Sequence, residues 1–279
     1  MKNQNCKKWF FALIVGAALA GLAGSASAAI VYQDSFNRSG TLAGSAPDVV
    51  NTNSNTWSVA GQAGVVPSTN GSVLPAPAQS QWDSPWTTAL LPVNGTSGVT
   101  LNGSQSFTLS ASALNLSNGL LEIGLRNSAG AWYGITVGPG NTGYLQFGIP
   151  ADPDLTHLYN MSGVTQPVNL ALSYDAGNGH LTALLNGTAM PFSYKHAGSN
   201  ADGSYTMSAA EVQALSNVGI VFHKYSYVAN AYVPGTSGAT LDNFTLTVVP
   251  EPSTWAMLLG GTVVVLIGLQ RSRRRASKA

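Results

Sequence analysis

Carboxylates have the widest chemical reach of any residues in this chain, and they are sparse. The 279 residues hold eleven Asp and Glu and four His. Between residues 29 and 249 the only glutamates are Glu122 and Glu211. Cleaving a glycosidic bond takes two carboxyls flanking the scissile bond, one as acid and one as nucleophile or base. Glu122 lies in LLEIGLR, with no acid two or four residues further on. Glu211 closes Ser208-Ala209-Ala210-Glu211, a helix-capping box that already accounts for its side chain. No single strand therefore carries a catalytic pair. Asp34, Asp83, Glu122 and Asp242 are suspects only if separate strands bring them together. The histidines His157, His180, His196 and His223 are scattered, and no Gly-x-Ser-x-Gly elbow is present. Catalytic residues are therefore expected to be none, and zinc is not expected. The lone cysteine, Cys6, precedes the first apolar run, so thiolate chemistry is excluded from the body of the chain.

Two binding chemistries remain. In LDNFTLTV, Asp242 shares the phase of Phe244, Leu246 and Val248, which predicts an inward carboxylate at a strand start. Such a group needs a partner, because burying it alone is costly. Asp34, in the first strand, is its expected neighbour if the first and last strands pair, and the two are candidate ligands for a structural calcium. Asp152-Pro153-Asp154 offers further oxygens but reads as a turn. Aromatic side chains supply the second chemistry, since sugar rings stack on exposed aromatics. Trp82 and Trp86 flank Asp83-Ser84-Pro85, and Tyr225 and Tyr227 begin the cluster YSYVANAY. The same residues also serve as a roof for a core.

The elements that must position these residues are strands. Phe107, Leu109, Ala111 and Ala113 alternate with polar residues, as do Val168, Leu170, Leu172 and Tyr174. Leu121, Ile123 and Leu125 share one phase with Glu122 in the other. Further strands are predicted over 132–137, 143–149, 180–185, 218–223 and 240–248, separated by turns such as Asn178-Gly179 and Asn186-Gly187. The capping box predicts one short helix over 209–216, with Met207 and Val212 at staple positions. Residues 66–85, rich in Pro and Ser, read as a long loop. The expected fold is all-β, a jelly-roll-like antiparallel β-sandwich with one short helix.

Charge narrows the partners. Only 8% of residues are charged. Residues 30–249 carry four basic residues against ten acids, a net charge of −6. That balance argues against nucleic acid, which needs a basic surface.

The remaining basic residues mark both ends. Lys2, Lys7 and Lys8 precede the apolar run Trp9–Leu22 and the small-residue exit Ala26-Ser27-Ala28, the pattern of a secretory signal peptide over 1–28. At the other end, Pro250-Glu251-Pro252 precedes an uncharged apolar run, Thr254–Leu269, and then Arg271, Arg273, Arg274 and Arg275. The run predicts a transmembrane helix over 254–270 with the basic tail 271–279 in the cytoplasm. The three parts in this order resemble a PEP-CTERM sorting signal spanning 248–279. That resemblance implies an exported bacterial protein processed by a membrane-embedded exosortase, in bacteria that make extracellular polysaccharide. Residues 29–247 are then one passenger domain, held at the inner membrane facing the periplasm and destined for the cell surface or extracellular matrix.

The passenger has its own looser resemblance. YQDSFNRSGTLAGS with NTWSVAGQ, and NLALSYDAGNGHLTALLNG, resemble the opening strand and a hairpin of concanavalin A-like lectin/glucanase or laminin-G-like sandwiches. The expectation is a non-catalytic, envelope-sorted protein bound to extracellular polysaccharide or biofilm matrix. The alternatives are a secreted glycan-degrading enzyme and a purely structural surface protein.

Overall fold

The computed structural model describes residues 28–50, 54–60, 65–67, 73–75, 86–114, 121–138, 142–149, 159–160, 166–190, 203–223, 225–228, 231–234 and 240–249. In chain order the strands are β1 (Ala29–Asp34), β2 (Val49–Val50), β3 (Ser58–Ala60), β4 (Val65–Pro67), β5 (Val73–Pro75), β6 (Trp86–Pro92) and β7 (Ser106–Leu114). Then come β8 (Leu121–Asn127), β9 (Trp132–Gly138), β10 (Thr142–Ile149), β11 (Tyr159–Asn160), β12 (Val168–Asp175), β13 (His180–Leu185), β14 (Thr188–Ala189) and β15 (Ser204–Thr206). Helix α1 (Ala209–Ala214) precedes β16 (Leu215–His223), β17 (Tyr225–Val228), β18 (Ala231–Pro234) and β19 (Thr240–Val249).

Alternating side chains sort these strands into two large antiparallel sheets, with β17 and β18 paired as a separate hairpin. The first has the order β14-β13-β12-β7-β19-β1-β2, with β15 on β13 and the β4–β5 pair on β19. The second has the order β11-β10-β9-β8-β16-β6-β3. Phe107, Leu109, Leu170 and Leu172 from the first sheet bury against Leu121, Ile123, Leu125 and Ile220 from the second, forming one core. The all-β sandwich expected from the sequence is therefore present within Ala29–Val248, a compact unit. Aromatic contacts reinforce it: Trp57 meets Phe244 edge-on at 5.1 Å, and Phe107 stacks on Tyr174 at 5.1 Å.

Three expectations are corrected. The helix stops at Ala214, because Leu215 is extended (φ −59°, ψ 133°) and opens β16. Its capping box is complete: Glu211 N–H donates to Ser208 Oγ and Ser208 N–H donates to Glu211 Oε2. Part of the 66–85 loop is strand, with Val65–Pro67 paired to Val73–Pro75. These three-residue runs are too short to show a period.

The third correction concerns Asp242. In β19 the side chains in the core are Leu241, Phe244, Leu246 and Val248, with Thr240 also buried, so the alternation of the core residues breaks between Leu241 and Phe244. Asn243 takes a left-handed conformation (φ 54°) and inserts one residue into the alternation. Asp242 thereby leaves the inward phase and is half-buried. Among the described residues no helix is long and apolar enough to cross a membrane. The leader through Ser27, Pro250, Glu251, Pro252, the 254–270 run and Arg271, Arg273, Arg274 and Arg275 lie outside the described residues.

Candidate functional site

Two carboxyls are nearly withdrawn from water, and both meet an indole. Glu122 is on β8, the middle strand of the second sheet. Leu121, Ile123 and Leu125 point to the core, which turns Glu122 and Gly124 to the opposite, outer face. Register places Glu122 between Thr136 of β9 and Val221 of β16. One step along, Gly124 stands between Gly134 and Gly219. Three glycines in a row make a floor without side chains.

That floor admits Trp132. A Cβ at Gly124 would lie 2.6 Å from Trp132 Cε2 and 2.7 Å from the Tyr133 carbonyl oxygen. A Cβ at Gly134 would overlap both the indole nitrogen and the Glu122 carboxyl. The glycines therefore let the indole cross the sheet so that Trp132 Nε1–H donates to Glu122 Oε1. Leu90 and Val221 pack with Trp132 in a separate small apolar cluster. Burial pushes the Glu122 carboxyl up to about 8, against the opposing pull of hydrogen bonds from Trp132 and Thr136. At neutral pH the group is thus a protonated acid able to donate. Hydrolysis would also require a second carboxyl. None stands at the described positions of its row, Thr88–Val221–Glu122–Thr136, or of the glycine row beside it.

Asp34 ends β1, and the predicted pairing of first and last strands is present, with Asp34 opposite Phe244. Its surroundings are not those of a calcium ligand. Phe36 N–H donates to Oδ1 at 2.8 Å, Trp57 Nε1–H donates to Oδ2 at 2.7 Å, and Arg38 pairs with Oδ1. The guanidinium already supplies the cation. Burial raises the Asp34 pKa despite the opposing pull of Trp57, Phe36 and Arg38. Arg38 also donates to Ser45 Oγ at 3.0 Å and contacts Asp48 at 3.4 Å, and Asp48 accepts Ser35 N–H at 2.8 Å. The cluster pins the 35–48 loop to β1. Asp242 accepts from its neighbour Asn243 through the backbone N–H at 2.6 Å and the amide at 2.9 Å. Among the described residues no three His, Cys, Asp or Glu are placed to hold a metal. The donors around Asp34 and Asp242 do not fit calcium.

Glu211 serves structure twice over. Besides its capping role it accepts Tyr205 Oη–H at 3.1 Å and, more weakly, Tyr133 Oη–H at 3.5 Å. Burial alone would raise its pKa, but the hydrogen bonds from Ser208, Tyr205 and Tyr133 lower it overall. The two phenols move up in turn, Tyr133 to about 12, through burial and the adjacent carboxylate.

The outer face of the first sheet has a different character. Thr108, Ser110, Ser112, Asn169, Ser173, Thr182, Thr245 and Thr247 occupy its outward positions. A groove of about 340 Å³ opens there, lined by Ser110, Ser112, Asn169, Leu184, Asn243 and Thr245 among others, none of them charged. Ser112 Oγ–H donates to Asn169 Oδ1 at 2.8 Å, and the Thr108 and Ser173 hydroxyls meet at 3.1 Å. Its polarity is all hydroxyl and carboxamide, with Leu184 and Ala171 as apolar relief.

Of the predicted aromatic platform, the structure describes the strand positions of Trp86, Tyr225 and Tyr227. Trp86 opens β6 opposite His223, in register one step beyond the Thr88–Val221–Glu122 row. Tyr225 and Tyr227 are on the β17–β18 hairpin, opposite Pro234 and Tyr232. Trp82 lies outside the described residues. Sequence reasoning missed Trp132 as the partner of Glu122. The available signal was a glycine inside each of three apolar strands, LLEIGLR, WYGITV and VGIVFH.

No protein-family model matches the chain. No curated protein matches its sequence. Among solved structures it is similar to the CBM2 module of the evolved Dit of Lactobacillus casei BL23 phage J-1. There the identity is 12% and the TM-score 0.47, over 80% of this chain and 97% of that one. It is also similar to arcelin-5, a lectin-like defense protein of Phaseolus vulgaris, at 12% identity and TM-score 0.37, over 69% of this chain and 92% of that one. Beta-agarase A, in complex with oligoagarose, is similar at 10% identity and TM-score 0.46, over 79% of this chain and 92% of that one.

Proposed function

We propose that this is an exported protein, sorted to the cell envelope by its C-terminal segment, whose sandwich binds extracellular polysaccharide without cleaving it. The observation that carries the binding half is the uncharged groove on the first sheet. Hydroxyls and carboxamides beside small apolar patches suit a neutral, polyhydroxylated chain, which offers the same donors and acceptors in return. The non-catalytic half is supported by the occupied state of both buried carboxyls. Asp34 is saturated by Phe36, Trp57 and Arg38, and Glu122 by Trp132 and Thr136. The sorting half is supported by the tripartite tail and the matching leader. Exosortase and the inner membrane are then its partners during sorting.

Two experiments test the reading. Residues 29–249 should co-sediment with the producer's own polysaccharide, and Asn169→Ala with Thr245→Ala should weaken that retention several-fold. Unchanged retention would remove the groove from the account. Replacing Arg271, Arg273, Arg274 and Arg275 with Ala should alter membrane retention while the sandwich stays folded, and an unchanged fractionation would contradict the sorting signal. One observation favours a second reading, a glycan-degrading enzyme: Glu122 is protonated at neutral pH on a sheet face, as a general acid must be. Loss of polysaccharide turnover in Glu122→Gln would establish it.

A further inference from the structure

The uncharged groove on the outer face of the first sheet has a direction. Its lining residues fall in two rows that cross the strands. Register gives the first row as Leu184 of β13, Ala171 of β12 and Ser110 of β7. Thr245 of β19, the strand beside β7, completes it. The second row runs from Gly187, just past β13, through Asn169 of β12 and Ser112 of β7 to Asn243 of β19. Between the rows lie Ala111 and Leu170, whose side chains are in the core, so backbone forms the floor. The next outward row, Thr182, Ser173 and Thr108, does not line the groove.

Four neighbouring strands, β13-β12-β7-β19, are crossed. Three interstrand steps of about 4.8 Å make roughly 14 Å of length. The two rows are two residues apart along each strand, roughly 7 Å. The groove is therefore a slot, long across the strands and short along them. One side presents Asn169, Ser112 and Asn243, and the other passes from Leu184 and Ala171 to the hydroxyls of Ser110 and Thr245. The bond from Ser112 occupies the Asn169 carbonyl and leaves the amide N–H groups to a ligand. The first row continues uncharged beyond both ends, with Ala189 opposite Leu184 and Gln33 opposite Thr245. Asp175 and His180 stand on the same face two rows away. No cation is among the described residues lining the slot, and Asp242, the residue before Asn243, is itself an acid. An anionic ligand would be desolvated there without a partner, which is costly.

We propose that the slot takes an internal stretch of a linear, extended, neutral polysaccharide lying across the strands, with about one sugar ring to each strand. The proposal rests on the polysaccharide-binding reading of this groove and narrows it. A pyranose ring with its linkage advances an extended chain by close to the interstrand spacing. Its hydroxyls then recur in step with Asn169, Ser112 and Asn243, which sit on successive strands. A chain that coils does not keep to two rows, and a polyuronate brings charge that the slot does not match.

The test uses the full chain in a detergent without a sugar headgroup and titrates it calorimetrically with cello-oligosaccharides, maltohexaose and a galacturonate hexamer. Cellohexaose should bind several-fold more tightly than either other hexamer. Affinity should rise from the disaccharide to the tetrasaccharide and then level off, one ring for each strand crossed. Asn169→Ala and Thr245→Ala, on different strands, should each weaken cellohexaose several-fold, whereas Thr182→Ala, one row outside the slot, should not. Circular dichroism checks that each variant is folded. Equal or tighter binding of maltohexaose or the galacturonate hexamer overturns the extended, neutral occupant. A loss in Thr182→Ala as large as that in Thr245→Ala overturns the crossing direction. Absent cellohexaose binding, with the producer's own polysaccharide still retained through Asn169 and Thr245, overturns the slot proposal and leaves the binding reading standing. Failure to retain any polysaccharide, the producer's included, refutes that reading and the slot with it.

Discussion

Replacing Glu122 with Gln keeps the shape of the side chain and its acceptor for the Trp132 indole while removing a titration. The folded-state pKa is about 8 and the ordinary value 4.5. Below pH 4.5 the carboxyl is protonated in both states, and its contribution to stability is fully present. Between 4.5 and 8 the unfolded chain loses the proton while the folded chain keeps it, so stability falls as pH rises. The slope is about 1.4 kcal/mol per pH unit, and the loss over the whole window is about 5 kcal/mol, a large fraction of typical domain stability. Above the folded pKa the contribution is gone. Urea unfolding of residues 29–249, followed by tryptophan fluorescence, measures it as the difference between wild type and Glu122→Gln at each pH. Taking the difference cancels other groups, including Asp34 and Asp242, whose pKa values burial also raises. The expected advantage of the Gln variant is under about 1 kcal/mol at pH 5, growing to several kcal/mol at pH 8. Parallel stability curves would refute the claim that Glu122 is buried as a neutral acid.

Three further substitutions probe the parts around it. Asp34→Ala leaves the Trp57 indole and Arg38 without their acceptor, and should cost about 3 kcal/mol in urea unfolding. Gly124→Ala forces a methyl against Trp132 and the Tyr133 carbonyl, and should cost at least about 1–3 kcal/mol with a red shift in tryptophan emission as the indole leaves its floor. Ser208→Ala removes one half of the capping box, and a loss of about 1 kcal/mol is expected from the same unfolding assay.

The fold was legible wherever a strand ran long enough to show its period. His180–Leu185 and the strand around Phe107–Ala113 could be read directly, because each buries one face and wets the other. The capping box was equally legible, since its two bonds are local. What could not be read was set by distant contacts or by single backbone conformations. Asp242 looked inward until Asn243, at positive φ, shifted the phase of β19. Asp34 looked like half of a metal site, whereas its partners Arg38 and Trp57 come from the loop and strand region that follow it. Glu122 was singled out as an isolated acid, but its indole partner is ten residues away and reaches it only because three separate strands carry glycine at one level of the sheet.

The central claim is that the sandwich holds polysaccharide and leaves it intact. The most direct measurement is to incubate residues 29–249 with the producer's extracellular polysaccharide and assay, in one sample, both retained protein and newly formed reducing ends. The account predicts saturable retention with no increase in reducing ends over the polymer alone. Reducing ends that accumulate with time and disappear in Glu122→Gln, or a complete lack of retention, would contradict it.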